Sequence, residues 1–271
     1  MKVAVIGLGS ITRGVLSALS QATEVDEIVA TRRSAQDNVH LPAGVTVICQ
    51  EQRADANVVA VRDADVVMIC TKPHQVGVVL QEIRADLAPG VTLISVAAGL
   101  GFDTLRSNVG PGPQLARLLP NTAAGVGEGV IGLLLQEPDP ACSELLASWF
   151  APVGMVVHLA DEAAVDVLSA VSGSGPAYVF RLIEAMAGGA VAMGLDEQEA
   201  ERICRQVVVG AAALLGDAPD TSAPELRRAV TSPAGTTEKA MEVIDGAEPE
   251  DLMTRAFRAS VAHAGRLNSA S

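Results

Sequence analysis

Lys2-Val-Ala-Val-Ile-Gly-Leu-Gly9 decides the fold. A short apolar run ends in two glycines, and Ile11, Val15 and Leu19 then recur at helical spacing. Strand, Gly7-x-Gly9 turn and helix make the first unit of a dinucleotide-binding fold, in which the backbone comes close to a pyrophosphate at a helix N-terminus. A glycine pair alone is weak evidence, but here the flanks are the required ones. The third small position carries Thr12 in place of Gly or Ala. That predicts a helix set slightly away from the strand, with the phosphate turn intact. The competing reading is a plain βα turn.

Outward from this unit, Glu27 to Thr31 is the second strand, and Arg32-Arg33 follow it. An acidic residue there would bind a free ribose diol; two guanidinium groups favour a 2′-phosphate, and so NADP over NAD. Val66 to Cys70 and Val91 to Ser95 are buried strands, ending in Thr71-Lys72-Pro73 and Val96-Ala97-Ala98-Gly99. Small residues past the carboxyl ends of parallel strands let a cofactor approach the backbone. Lys72 is either a catalytic cation or part of a loop that acts through its backbone, the second being preferred. Asn57 is a turn residue or a ribose contact. Gln114 to Leu119, Val130 to Leu135 and Val153 to Leu159 are further strands, with Pro120-Asn121-Thr122 as a turn. Trp149 lies on a helix and is most simply core.

The totals agree with this plan. Across 271 residues, 49% are hydrophobic and only 2% aromatic, so the core is built from Ala, Val, Leu and Ile, as suits parallel strands and close-packed helices. A net charge of −13 argues against nucleic acid and anionic membranes as partners. Cys49, Cys70, Cys142 and Cys204 are far apart, which reads as reduced thiols in a cytoplasmic protein, and the four histidines have no metal-ligand spacing. Met1 to Gly9 is too short for a signal peptide, and Val207 to Leu215 is too short to span a bilayer, which needs about 20 residues.

After Leu159 the strand pattern stops. Asp161-Glu162 opens a helix through Ala170, and Glu162 is either a first-turn acid favoured by the helix dipole or a contact for a cationic nitrogen. Ser172-Gly-Ser-Gly-Pro176 breaks that helix and starts a long one to about Met193. The long helix is apolar nearly all round, which predicts burial against a second subunit. Helices follow over Glu197 to Leu215, Ala223 to Val230, the Thr236 segment, and Pro249 to Leu267. The Ser-Gly turn is preceded by a helical pattern, not a strand, which disfavours a serine-hydrolase elbow. The stretch Ala229-Val-Thr-Ser-Pro-Ala-Gly-Thr-Thr-Glu-Lys239 is the most chemically pointed. Ser232-Pro233 reads as a helix start, and Gly235, Thr236 and Thr237 leave N–H groups and two hydroxyls at the positive end of the next helix. That end suits a small carboxylate; an ordinary capped helix is the alternative.

These segments together resemble the pyrroline-5-carboxylate reductase family. Asp166 to Tyr178, with Ser-Gly-Ser-Gly-Pro-Ala-Tyr, is similar to the family's turn into its dimer helix, and Leu226 to Asp245 to its signature. Leu119-Pro-Asn-Thr, Thr71-Lys-Pro and Ser95-Val-Ala-Ala-Gly also match. The resemblance runs end to end. It implies an α/β fold: a Rossmann-type parallel-sheet domain over residues 1–159, then an all-helical dimerisation and substrate domain over 160–271. It implies NAD(P)H-dependent reduction of 1-pyrroline-5-carboxylate to L-proline, with NADPH preferred over NADH, by a homodimer or a higher assembly of dimers. Carried over by residue, Ser232, Gly235, Thr236 and Thr237 surround the substrate, Thr237 bonds the ring nitrogen, and Glu162 faces the ring. Ile6, Gly7, Leu8, Gly9, Ser10, Ile11, Arg32 or Arg33, Asn57, Cys70, Thr71, Lys72, Pro73, Val96, Ala97 and Ala98 line the cofactor. No metal is implied.

This chain departs from the family pattern at four places. Ala234-Gly235 stands for Gly-Gly, Ser169 for Thr, Arg32-Arg33 for Asn-Arg, and Ser222-Ala223 for His-Pro. The methyl of Ala234 beside the carboxylate site keeps a related cyclic imine open as substrate. The other alternative is a non-catalytic NADP-binding dimer. β-Hydroxyacid dehydrogenases share the plan but use a lysine in the helical domain; the only one here, Lys239, is on the signature helix.

Overall fold

The computed structural model describes residues 1–9, 11–34 and 41–269, with 265–269 by backbone alone. The chain divides into two compact units, Met1–Ser174 with the chain from Ala259 onward, and Gly175–Arg258.

In the first unit, β1 (Lys2–Ile6), β2 (Glu27–Arg32), β3 (Val45–Cys49), β4 (Val66–Ile69), β5 (Thr92–Ser95), β6 (Gln114–Pro120), β7 (Gly129–Leu135) and β8 (Gly154–His158) form one sheet. Its order is β3-β2-β1-β4-β5-β6-β7-β8. All neighbours are parallel except β6 and β7, which pair antiparallel. The order reverses at β1, which pairs with β2 on one side and β4 on the other. That switch point opens a crevice at the carboxyl ends.

Both faces of the central strands are covered, so β1, β4 and β5 are almost wholly apolar. Ala4, Ile6, Val67, Ile69 and Leu93 pack on one side against α2 (Ala56–Val61), α3 (Pro73–Ile83), α4 (Phe102–Val109) and α6 (Glu162–Leu168). Val3, Val5, Val66, Met68 and Ile94 pack on the other against α1 (Thr12–Leu19) and α5 (Pro140–Phe150), where Trp149 is core.

Four details differ from the sequence reading. Edge strand β3 was not anticipated, although Val45-Thr-Val-Ile-Cys49 is rich in β-branched residues. Asn57 lies on a helix, not in a turn. The close approach of α1 occurs at Gly14, where an added Cβ would lie 2.8 Å from the Ala124 Cβ. The helix after Glu162 does not end at Ala170 but widens into a π-helical turn over Ser169–Gly173, and the break falls at Ser174, inside the expected Ser172–Pro176 stretch. There the Ser174 N–H reaches the Ser169 carbonyl at 3.1 Å, and the Ser172 hydroxyl donates to the Leu168 carbonyl at 2.9 Å.

The second unit is helical: α7 (Gly175–Ala192), α8 (Glu197–Asp217), α9 (Ala223–Ala229), α10 (Thr236–Asp245) and the start of α11 (Pro249–Ser269). Gly194, at φ +101°, turns α7 toward α8, and the Asp196 carboxylate caps α8 by accepting from Gln198 N and Glu199 N. Only Ala200 and Cys204 are buried among its described residues, while Phe180, Leu182, Val207 and Leu214 are each more than half exposed. This single-chain unit has almost no core of its own. No helix among the described residues is long and apolar enough to cross a membrane. Among the same residues no cluster of three His, Cys, Asp or Glu side chains could hold a metal ion.

Candidate active site

A cavity of about 430 Å³ lies at the carboxyl ends of β1, β2 and β4. It brings together Ile6, Gly7, Leu8, Gly9, Arg32, Arg33, Asn57, Cys70, Thr71 and Lys72. Ile11, Pro73, Val96, Ala97 and Ala98 are not in its lining, and Ser10 lies outside the described residues.

The glycine turn is shaped by its neighbours. Gly7 has φ +96°, and an added Cβ would lie 2.8 Å from the Thr71 Cγ2 and 3.2 Å from the Cys70 carbonyl. Its N–H donates to the Thr31 carbonyl at 3.1 Å, so the first glycine is clamped between β2 and β4. Thr12 does more than displace a helix. Its buried hydroxyl accepts from the Gly9 N–H at 2.8 Å and lies 3.4 Å from the Gly7 carbonyl, closing the turn before any ligand arrives.

Asn57 is almost wholly buried, and both ends of its amide are engaged. Its Oδ1 accepts from the Thr31 hydroxyl at 2.8 Å, and its Nδ2 donates to Glu82 Oε2 at 2.9 Å. Glu82, Thr31, Gln50, His74 and Gln75 also line the cavity, and sequence reasoning missed them. The signal for His74, Gln75 and Glu82 was the Lys72-Pro73 helix start, with Pro73 at the first helical position. Burial pushes the Cys70 thiol up to about 12, which disfavours the thiolate that a nucleophilic role would need. The Thr71 hydroxyl is buried with no hydrogen-bond partner among the described residues. A glycine cradle beside an unpartnered hydroxyl, with two arginines at the end of β2, fits a phosphorylated dinucleotide.

Two strands along, Val96 and Ala97 are buried and Ala98 is exposed. Val96 N donates to the Ile69 carbonyl at 3.0 Å, and Ala97 N to the Ser95 hydroxyl at 3.3 Å. Glu162 is already engaged. Its Oε1 accepts from Phe102 N at 2.8 Å, at the start of α4, and from Arg117 Nη1 at 2.9 Å. Arg117, from the middle of β6, is a buried charge that sequence reasoning passed over inside a run read only as strand.

In the helical unit, Ser232 to Gly235 forms a turn, with the Gly235 N–H donating to the Ser232 carbonyl at 3.0 Å. Pro233 occupies its second position and Ala234, at φ +58°, its third, the arrangement that usually calls for glycine. The cap of α10 is therefore Gly235, not Ser232. A side chain on Gly235 would meet the Ser232 Oγ at 2.5 Å. Thr236 and Thr237 open the helix and are exposed, and the first N–H groups of a helix have no partner within it. The Glu238 carboxylate accepts from Ala234 N at 2.9 Å, placing an acid in this first turn.

The switch-point crevice with its glycine cradle, on a doubly wound sheet followed by a helical unit, defines a Rossmann-class dinucleotide-binding protein. Comparison with known proteins narrows the class. Residues 162–267 match the model described as pyrroline-5-carboxylate reductase dimerisation, and residues 2–99 that described as NADP oxidoreductase, coenzyme F420-dependent. The pyrroline-5-carboxylate reductase of Pseudomonas aeruginosa is 33% identical over 261 residues, 96% of this chain and 94% of that protein. The solved structure of the reductase from Coxiella burnetii is 30% identical with a TM-score of 0.85, covering 98% of both chains. The Plasmodium falciparum pyrroline carboxylate reductase, solved with NADP bound, has a TM-score of 0.81 at 22% identity and covers 99% of this chain and 98% of that one. This chain belongs to the pyrroline-5-carboxylate reductase family.

Proposed function

We propose that this protein reduces 1-pyrroline-5-carboxylate to L-proline with NADPH, as the last step of proline biosynthesis. We further propose that it works in the cytoplasm as a homodimer or an assembly of dimers. The observation that carries the reading is the end-to-end likeness to relatives named for that reaction. Residues 1–159 are read as the coenzyme domain and 160–271 as the dimerisation and substrate domain. The nearly coreless helical unit, with Phe180, Leu182, Val207 and Leu214 exposed, supports burial against a second copy.

Bound NADPH supplies the hydride. Gly7 and Gly9 admit its pyrophosphate to the backbone, Thr71 offers a hydroxyl, and Arg32 or Arg33 receives a 2′-phosphate. The first-turn N–H groups of α10, with Ser232 and Gly235, hold the ring carboxylate by backbone charge alone. Thr237 holds the ring nitrogen, which carries a proton before the carbon accepts hydride. The C=N π pair then stays on that nitrogen, and the product is the secondary amine. Such a site needs position and exclusion of water more than a strong acid. Ion-paired to Arg117 and bonded to Phe102 N, Glu162 fits better as part of the scaffold than as an acid.

The test follows NADPH absorbance in the purified chain with and without pyrroline-5-carboxylate, then with NADH. Proline formation at the expense of NADPH is expected. Oxidation only with another cyclic imine would assign the specificity to Ala234, and coenzyme binding without oxidation would leave a nucleotide-binding dimer. Arg32→Ala/Arg33→Ala should weaken NADPH more than NADH; equal losses would remove the arginines from coenzyme choice.

A further inference from the structure

Arg117 is the anomalous residue of the sheet unit. It lies on β6 between Leu115 and Leu119, on the face they share, and is level with Ser95 at the end of β5. Its side chain is 3% exposed. Nη1 meets Glu162 Oε1 at 2.9 Å, while Nε and Nη2 are buried with no hydrogen-bond partner among the described residues. A guanidinium buried with two nitrogens unsatisfied is a poor way to stabilise a core, and an apolar side chain of similar size serves better. Its presence calls for a geometric role.

The partner shows what that role is. Residues 96–101 connect β5 to α4. The connection is tied at its start by the bonds from Val96 N and Ala97 N. At its far end the tie is the Phe102 N–H, donated to Glu162 Oε1. Gly101 makes room for that carboxylate: an added Cβ would lie 3.2 Å from both Glu162 oxygens. Glu162 has a defined origin, since the Asp161 side chain caps α6 by accepting from Ala164 N at 2.8 Å.

We propose that Arg117 is a positioning residue for coenzyme binding: it holds Glu162, Glu162 holds the first N–H of α4, and the pair thereby fixes the 96–101 connection. The inference rests on the reading above that this connection meets the coenzyme. It separates Glu162 from the substrate ring, because the carboxylate acts through a backbone N–H and not through a reacting atom.

The test measures NADPH dissociation by fluorescence titration, and the Michaelis constants for NADPH and for the imine, in the full-length protein. Arg117→Met should weaken NADPH about tenfold or more, with the imine KM within about twofold, since a small shift of a binding loop is felt strongly. Glu162→Gln keeps an acceptor oxygen for both donors and should stay within about threefold of wild type for NADPH. Adding Arg117→Met to Glu162→Ala should give no further loss of NADPH affinity, because Arg117 acts only through Glu162. Wild-type NADPH affinity in Arg117→Met overturns the proposal, as does a Glu162→Gln variant altered only in imine KM or kcat. If Arg117→Met does not fold, Gly101→Ala, which crowds the carboxylate from the other side, should weaken NADPH at least threefold; wild-type affinity there overturns the proposal too. Wild-type protein that binds NADPH but fails to reduce pyrroline-5-carboxylate would end the reading of the reaction, leaving these binding measurements to judge Arg117.

Discussion

Replacing Gly9 by alanine should weaken coenzyme binding about tenfold or more while leaving the fold intact, and replacing Gly7 should damage both. At Gly9 an added Cβ would meet nothing closer than the Thr12 Oγ1 at 4.0 Å among the described residues beyond its chain neighbours, and the backbone is not in the left-handed region. The expected change in stability is therefore within about 0.5 kcal/mol. The same methyl would stand where the pyrophosphate approaches the turn, and a tenfold loss of NADPH affinity, about 1.4 kcal/mol, is a modest expectation. Gly7 differs on both counts. Its φ is +96°, and its Cβ would press on the Thr71 Cγ2 at 2.8 Å and the Cys70 carbonyl, which is backbone and does not rotate away. Strain of roughly 1–3 kcal/mol is expected, a fall in melting temperature of about 2–5 °C for a chain of this size, together with lost binding. Thermal melts and NADPH fluorescence titration on the two variants separate the effects. Gly9→Ala with undiminished NADPH affinity would show that the phosphates do not approach this turn. Gly7→Ala with a wild-type melt would refute the packing argument itself.

Thr237→Ala should lower kcat about tenfold to a thousandfold, the loss expected for one oriented hydrogen-bonding group at the reacting centre, and wild-type kinetics would remove Thr237 from the mechanism. Ala234→Gly removes a side chain held at φ +58°; after allowing for glycine's greater unfolded freedom, a gain of roughly 0.5 kcal/mol should appear as a small rise in melting temperature, and a fall would contradict the turn geometry. Cys70 contributes a pH dependence of known sign. Its folded thiol is raised from 9.0 to about 12 by burial, so its contribution is constant below pH 9 and is lost as pH climbs toward 12, where the unfolded thiol ionises first. Denaturant melts of Cys70→Ala should show a shallower alkaline decline than wild type, and parallel curves would refute the assignment.

Much of the architecture was legible locally. Strands β1, β4 and β5 are covered on both faces, so they read as continuous apolar runs, and α6, α8 and α9 carry their own start signals in Asp161, Asp196 and Ser222. Edge strand β3 was harder, because at the end of the sheet it is only partly buried and is flanked by less apolar chain, despite its β-branched residues. At the candidate site the glycines and small residues were legible for the same reason: a tight turn demands them wherever the chain goes next. Gln50 was not, since it sits in no local pattern that announces a crevice. The cap of α10 moved from Ser232 to Gly235 because Pro233 and Ala234 close a turn of their own before the helix begins.

From the sequence by itself came seven of the eight strands, the helices from Glu162 onward, the glycine turn at Gly7 and Gly9, the arginines after β2, and the likeness of the signature stretch to one family. All of these rest on residues near one another in the chain. Only the tertiary structure decided that Thr12 closes the turn while Gly14 admits the helix contact, that Asn57 bridges Thr31 and Glu82, and that Glu162 answers a buried arginine 45 residues away. The physical reason is that a side chain's charge and hydrogen-bonding capacity are properties of its type, whereas the partner that satisfies them is set by which strands and helices the fold lays side by side.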